Sequence, residues 1–166
     1  MTDRSVTHST FVIERVFPAA PARVFAALAN PARKRRWFAE GEGFKLDSFD
    51  MDFRVGGFER SRFRFAGSQP LPEGTACGND TVFMDIVADQ RIVLAYTMTV
   101  GGKPISVSQA TFELQASGTG TNLVFTEQAA FFEGSDGPQI REAGWHSLFE
   151  QLAEEVAEST QNGPPR

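Results

Sequence analysis

Glu127 is the residue whose surroundings most suggest chemistry. It stands in Leu123-Val124-Phe125-Thr126-Glu127-Gln128-Ala129, where strand alternation puts its carboxyl on the same face as Leu123 and Phe125. A carboxylate on an apolar face is expensive unless it is paired or hydrogen-bonded. Two readings are open. In one, Glu127 is the polar anchor of a ligand, or a general base with a raised pKa. In the other, it forms a structural ion pair with Arg141 or another arginine at the start of the last helix. Tyr96 shares a face with Ile92, Leu94 and Met98, so its hydroxyl reaches either a ligand or an internal partner. Arg60, Arg62 and Arg64 alternate with Phe63 and Phe65, as a cationic lining for an acidic ligand or, the favoured reading, as the wet side of a sheet. Trp37 and Trp145 sit where they would flank a cavity mouth or pack in the core.

The remaining reactive residue types do not assemble into a familiar motif. His146 and Ser147 are helix neighbours that point in different directions, and His8 lies near the terminus, so no Ser-His-Asp triad is implied. There is no G-x-S-x-G elbow, no Walker P-loop and no H-E-x-x-H helix. Cys77, the single cysteine, falls in a Gly- and Pro-rich stretch from Gly67 to Gly78 and reads as an incidental exposed thiol. One cysteine and two histidines argue against an internal disulfide and a metal site, and no cofactor is expected. Sixteen basic residues against 21 acidic ones give a net charge of -5, which opposes nucleic acid as a partner. The local exception is Arg33-Lys34-Arg35-Arg36, read mainly as a solvated helix face and otherwise as a dock for an acidic partner. Nothing approaches a membrane-spanning apolar run, and the start lacks the apolar stretch of a secretory signal, so a cytoplasmic location is expected.

The elements that position these residues are legible from periodicity. Thr10 to Phe17 reads as a strand, Pro21 opens a short helix carrying Val24, Phe25 and Leu28, and Pro31 opens a second that ends near Trp37-Phe38. Residues 45–66 read as a hairpin, with Phe49 and Met51 on one strand, Phe63 and Phe65 on the other, and a turn at Gly56-Gly57. A second hairpin spans Val82 to Met98, and two further strands cover Ser106 to Leu114 and Leu123 to Ala129. A helix of about six turns then runs to Glu158, with Ile140, Gly144, Leu148, Leu152 and Val156 as its stripe and Trp145 and Phe149 beside it. The order is α+β: a curved antiparallel sheet of about six to seven strands wrapped around a long C-terminal helix, with two short helices after the first strand. Residues 9–158 are expected to form one domain, with flexible tails at 1–8 and 159–166. The edges of such a sheet can pair between subunits, which allows a homodimer.

Particular residues in that order resemble the START-like helix-grip superfamily, often abbreviated SRPBCC. Within it, the chain is most similar to the branch related to the activator of the ninety-kilodalton heat-shock chaperone's ATPase. The fragments that carry the resemblance are Arg15 before Phe17-Pro18-Ala19, Arg36-Trp37-Phe38, Asp52-Phe53-Arg54-Val55-Gly56-Gly57, Asp85-Ile86-Val87, Arg91-Ile92-Val93, Phe125-Thr126-Glu127-Gln128 and Arg141-Glu142-Ala143-Gly144-Trp145. The resemblance implies a cavity between the concave sheet and the long helix that holds an apolar or amphipathic small molecule. Phe49, Met51, Phe63, Phe65, Tyr96 and Phe125 are its expected walls, Trp37 and Trp145 its flanks, and Glu127 its anchor. Two alternatives use the same chain differently: a cyclase, dehydratase or hydrolase with Glu127 as base, or a module that binds a chaperone or regulator.

Overall fold

The computed structural model describes residues 6–161, with side chains to residue 158. Seven strands form one antiparallel sheet in the order β1-β7-β6-β5-β4-β3-β2. Strand β1 (Thr7–Phe17) precedes α1 (Pro21–Ala29) and α2 (Pro31–Lys34), which continues into a π-helical turn (Arg35–Ala39). Then come β2 (Phe44–Met51), β3 (Phe58–Phe65), β4 (Ala76–Val87), β5 (Arg91–Val100), β6 (Lys103–Ser117), β7 (Gly120–Phe131) and the 24-residue α3 (Pro138–Gln161). The expected helix-grip arrangement is thus present. Strand β1 begins at Thr7, inside the proposed N-terminal tail, and α3 runs three residues past Glu158. Val6 precedes the strand and is exposed, and residues 1–5 and 162–166 of the tails lie outside the described residues.

Consecutive strands pair as hairpins except that β1 returns to β7, so the two ends of the domain are joined through the sheet. The turn before β3 needs glycine for a steric reason. A Cβ on Gly57 would lie 2.1 Å from the Asp52 carbonyl oxygen, while its own carbonyl accepts from Phe83 N at 3.0 Å. The Asp52–Arg54 and Asp85–Arg91 ion pairs, at 2.7 and 2.6 Å, brace this turn and the β4–β5 hairpin. Several fragments that carry the family resemblance are therefore scaffold.

The core lies between the concave face and α3. Phe125 is fully buried among Trp145, Phe112 and Phe149, with ring centroids 4.4, 4.8 and 5.2 Å away. The buried row of α3 is Arg141, Trp145, Phe149, Leu152 and Val156. The expected stripe therefore shifts by one position at its N-terminal end: Ile140 is 65% exposed and Gly144 is also exposed. Farther along, Leu152 and Val156 occupy the core as expected. The physical reason is that α3 packs on the sheet along one ridge while the neighbouring ridge, Ile140, Gly144, Leu148 and Gln151, overhangs a cavity. No helix among the described residues is long and apolar enough to cross a membrane.

Candidate functional site

The cavity has a volume of about 460 Å³, within the range of small-molecule sites. Its floor comes from β3, β4 and β5, its roof from α3, and its end from the π-helical turn and the loop before β4. Phe38, Phe63, Phe65, Leu94, Met98 and Leu148 supply much of the apolar wall. Exposed Glu42, Phe44 and Ile140 also line it, so it opens to solvent between residues 41–44 and the start of α3. A Cβ at Gly144 would meet nothing within 4 Å. Gly144 accordingly contributes volume to the cavity, although the spacing placed it in the stripe of the last helix.

At the start of α3 a polar cluster closes one side. Arg141 is 7% exposed and forks onto Asp136, Nε to Oδ2 at 2.8 Å and Nη2 to Oδ1 at 2.9 Å. Its Nη2 also donates to Ser106 Oγ at 2.8 Å and its Nη1 to Tyr96 Oη at 3.0 Å. Tyr96 in turn donates to Glu127 Oε1 at 2.6 Å, and Trp145 Nε1 donates to the same oxygen at 3.0 Å. Ser108 Oγ donates to Glu127 Oε2 at 3.4 Å, and Arg141 Nη1 lies 3.7 Å from that oxygen. Burial pushes the Glu127 carboxyl above its usual range, with the Tyr96, Arg141, Trp145 and Ser108 contacts opposing the shift. Burial, and then the adjacent Glu127, likewise raise the Tyr96 phenol. Burial works against the Arg141 guanidinium, but Asp136, Tyr96 and Glu127 more than offset it and hold the charge.

A second buried ion pair lines the opposite side. Lys34 Nζ sits 2.5 Å from Glu59 Oε1, with both residues at most 4% exposed, and the ammonium lies over the Phe38 ring at 5.0 Å. The basic run at residues 33–36 is therefore not one solvated face. Lys34 points inward, Arg33 and Arg36 both hold Glu155 of α3, at 3.2 and 2.6 Å, and Arg35 pairs with Glu40 at 2.9 Å. Burial alone would raise Glu155, but hydrogen bonds from Arg36 and Arg33 outweigh it and hold the carboxyl below its usual range.

Of the residues singled out from sequence, Tyr96, Phe63, Phe65 and Trp145 line the cavity. Glu127, Phe125, Phe49, Met51 and Trp37 do not. Glu127 is fully buried and stands behind Tyr96 and Trp145, because β5 brings the Tyr96 hydroxyl and α3 the Trp145 indole onto its carboxylate. Phe125 is enclosed in the aromatic core. Phe49 and Met51 are half-buried on the edge strand β2, where Met51 packs on the core. Trp37 turns its Nε1 to the Ala27 carbonyl at 2.8 Å and leaves the cavity to its neighbour Phe38. Cys77 is also displaced from expectation: it lies on β4, is buried, and lines the cavity, where burial raises its thiol pKa. Arg60 and Arg62 pair with Asp80 at 3.8 and 2.9 Å, and Arg64 with Asp47 at 3.0 Å, on the wet face of the sheet.

Sequence reading missed Lys34, Glu59, Ser61 and Asn79. The alternation that sends Arg60 and Arg62 outward sends Glu59 and Ser61 inward with Phe63, so two of the four were readable. Nothing local marks Lys34 as Glu59's partner. Among the described residues, no group of three or more His, Cys, Asp or Glu side chains is placed to hold a metal ion.

A curved antiparallel sheet closed over a cavity by its C-terminal helix defines a helix-grip protein. The chain belongs to the family described as Activator of Hsp90 ATPase homolog 1-like protein, whose model matches residues 18–157. It is similar to the Mll3558 protein from Rhizobium loti, at 49% identity and a TM-score of 0.81 over 92% of this chain and 99% of that one. It is also similar to an uncharacterised protein from Rhizobium leguminosarum, at 36% identity and a TM-score of 0.84 over 95% of this chain and 99% of that one. The AHSA1-like protein from Aeromonas hydrophila, 17% identical over 95% of this chain and 99% of its own, shares the fold with a TM-score of 0.68. No match was found among curated proteins.

Proposed function

We propose that this chain binds one small apolar or amphipathic molecule in the cavity between the sheet and α3. The observation that carries this reading is the apolar volume of about 460 Å³ kept open by Gly144 and lined by Phe38, Phe63, Phe65, Met98 and Leu148. Apolar burial supplies affinity at roughly 25 cal/mol per Å², and a few placed polar groups fix orientation. Tyr96 and Trp145 contribute the wall nearest the start of α3, and Glu127 acts as a positioning residue that holds both. Because Glu127 is not in the lining, the geometry favours binding over base catalysis by that carboxylate. The ion pairs made by residues 33–36 likewise give less support to docking of an acidic protein through that run. A reducing cytoplasm suits the lone buried thiol of Cys77. The edge strands β1 and β2 leave a homodimer as an allowed assembly.

Native mass spectrometry of freshly purified protein, before and after denaturation, tests the reading. A specific mass that is released on unfolding, and absent from a folded Gly144→Phe variant, is the expected result. A small-molecule panel that binds Gly144→Phe as tightly as the unaltered protein would place binding elsewhere and overturn it.

A further inference from the structure

Among the described residues, three buried polar atoms of the cavity lining lack a hydrogen-bond partner, and one of them, Glu59 Oε1, is met by the Lys34 ammonium instead. The other two, Ser61 Oγ and Asn79 Oδ1, have none among the described residues. Ser61, 2% exposed, and Asn79 stand directly opposite each other in the β3–β4 register, and both line the cavity. One step along the same strands Glu59 faces Thr81, with Lys34 held against the Glu59 carboxylate. Buried polar groups are nearly always paired, so an unpaired couple at one place in a binding cavity points to a partner that arrives with the ligand. The cluster at the start of α3 is different. All three guanidinium nitrogens of Arg141 donate within the protein, and the Tyr96 hydroxyl both donates and accepts.

We propose that Ser61 and Asn79 form the polar subsite of the cavity and receive the hydroxyl group of an otherwise apolar, uncharged molecule. The proposal rests on the cavity-binding reading above and deepens it. Asn79 Oδ1 is an acceptor and requires a donor, which a hydroxyl supplies and a ketone or ether does not. The Ser61 hydroxyl rotates to donate or accept, so one ligand hydroxyl can bond to both residues. The buried charges in the lining, Lys34 with Glu59 and Arg141 with Asp136, are already paired. A ligand carboxylate or ammonium would therefore enter without a counter-charge, at a heavy desolvation cost.

The test is a fluorescence titration of the full chain with 1-hydroxypyrene and its near-isostere 1-methylpyrene. The hydroxyl compound should bind about tenfold more tightly, the usual scale of one net hydrogen bond in a dry site. That preference should shrink in Ser61→Ala and in Asn79→Ala and vanish in the double variant, while 1-methylpyrene binding is retained as evidence of an intact cavity. Because its hydroxyl is unpaired, Ser61→Ala should melt no lower than the unaltered protein when unliganded. Equal affinity for the two probes in the unaltered protein, or a preference that survives either single substitution undiminished, would overturn the subsite and leave the cavity reading standing. Failure of both probes to bind the unaltered protein would count against both.

Discussion

Glu127 shows how far a single carboxylate's role depends on what covers it. Its Oε1 accepts from both Tyr96 and Trp145 and its Oε2 from Ser108, so truncation to alanine removes the acceptor of three buried donors and withdraws one counter-charge from Arg141. Unpaired buried groups of this kind cost several kcal/mol. Glu127→Ala should therefore destabilise by about 3 kcal/mol in urea unfolding. Glu127→Gln, which keeps an acceptor in place, should cost clearly less. Equal costs for the two variants would mean that the carboxylate charge, rather than its hydrogen bonds, holds the cluster together.

At the scale of elements, two glycines behave in opposite ways for reasons visible in their surroundings. Gly144 lies within α3 with open space where a Cβ would go, so Gly144→Ala gains helix propensity without a clash. It should raise stability by about 0.5–1 kcal/mol, measured by denaturant midpoint. At Gly57 the same substitution drives a Cβ against the Asp52 carbonyl oxygen, in a turn tied to β4 through Phe83. Gly57→Ala should cost about 2–3 kcal/mol, because backbone on both sides must give way. Gly56-Gly57 could be recognised as a tight turn from the sequence, since the alternating runs on either side leave only a hairpin between them. Gly144 could not be read correctly in the same way. Whether a helical glycine serves close packing or empty space depends on the distance to the opposite layer, and no local pattern carries that distance.

For the molecule as a whole, two buried carboxyls set opposing pH limbs. The Glu155 carboxyl is depressed, so its contribution to stability is present above the unfolded carboxyl range, about 4.3, and is lost as pH falls through the folded value. The Glu127 carboxyl is raised, so its contribution is present below the unfolded value and is lost as pH rises through the folded one. Urea unfolding across pH should show Glu155→Gln flattening the acid limb and Glu127→Gln flattening the limb above about pH 4.3. If both variants merely displaced the whole curve, neither carboxyl would be titrating with folding. Since Glu155 joins Arg33 and Arg36 to α3, acid should also lower amide-exchange protection, relative to the intrinsic rate at each pH, in α2 ahead of β6 and β7.

From sequence alone, the element order, the antiparallel hairpins and the inward faces of β5 and β7 followed, because alternation and turn residues act over a few positions and need no partner to be read. Family resemblance added the cavity between sheet and helix. Tertiary structure decided which inward residues meet that cavity. It buried Phe125 in the core, turned Trp37 to a backbone carbonyl, set Glu127 behind Tyr96 and Trp145, and brought Lys34 to Glu59 across 25 positions of chain. Periodicity specifies the face on which a side chain stands. Its neighbours across the cavity are specified only when separate elements pack, since the helix rotation that moves the buried row from Ile140 to Arg141 is a property of both surfaces at once.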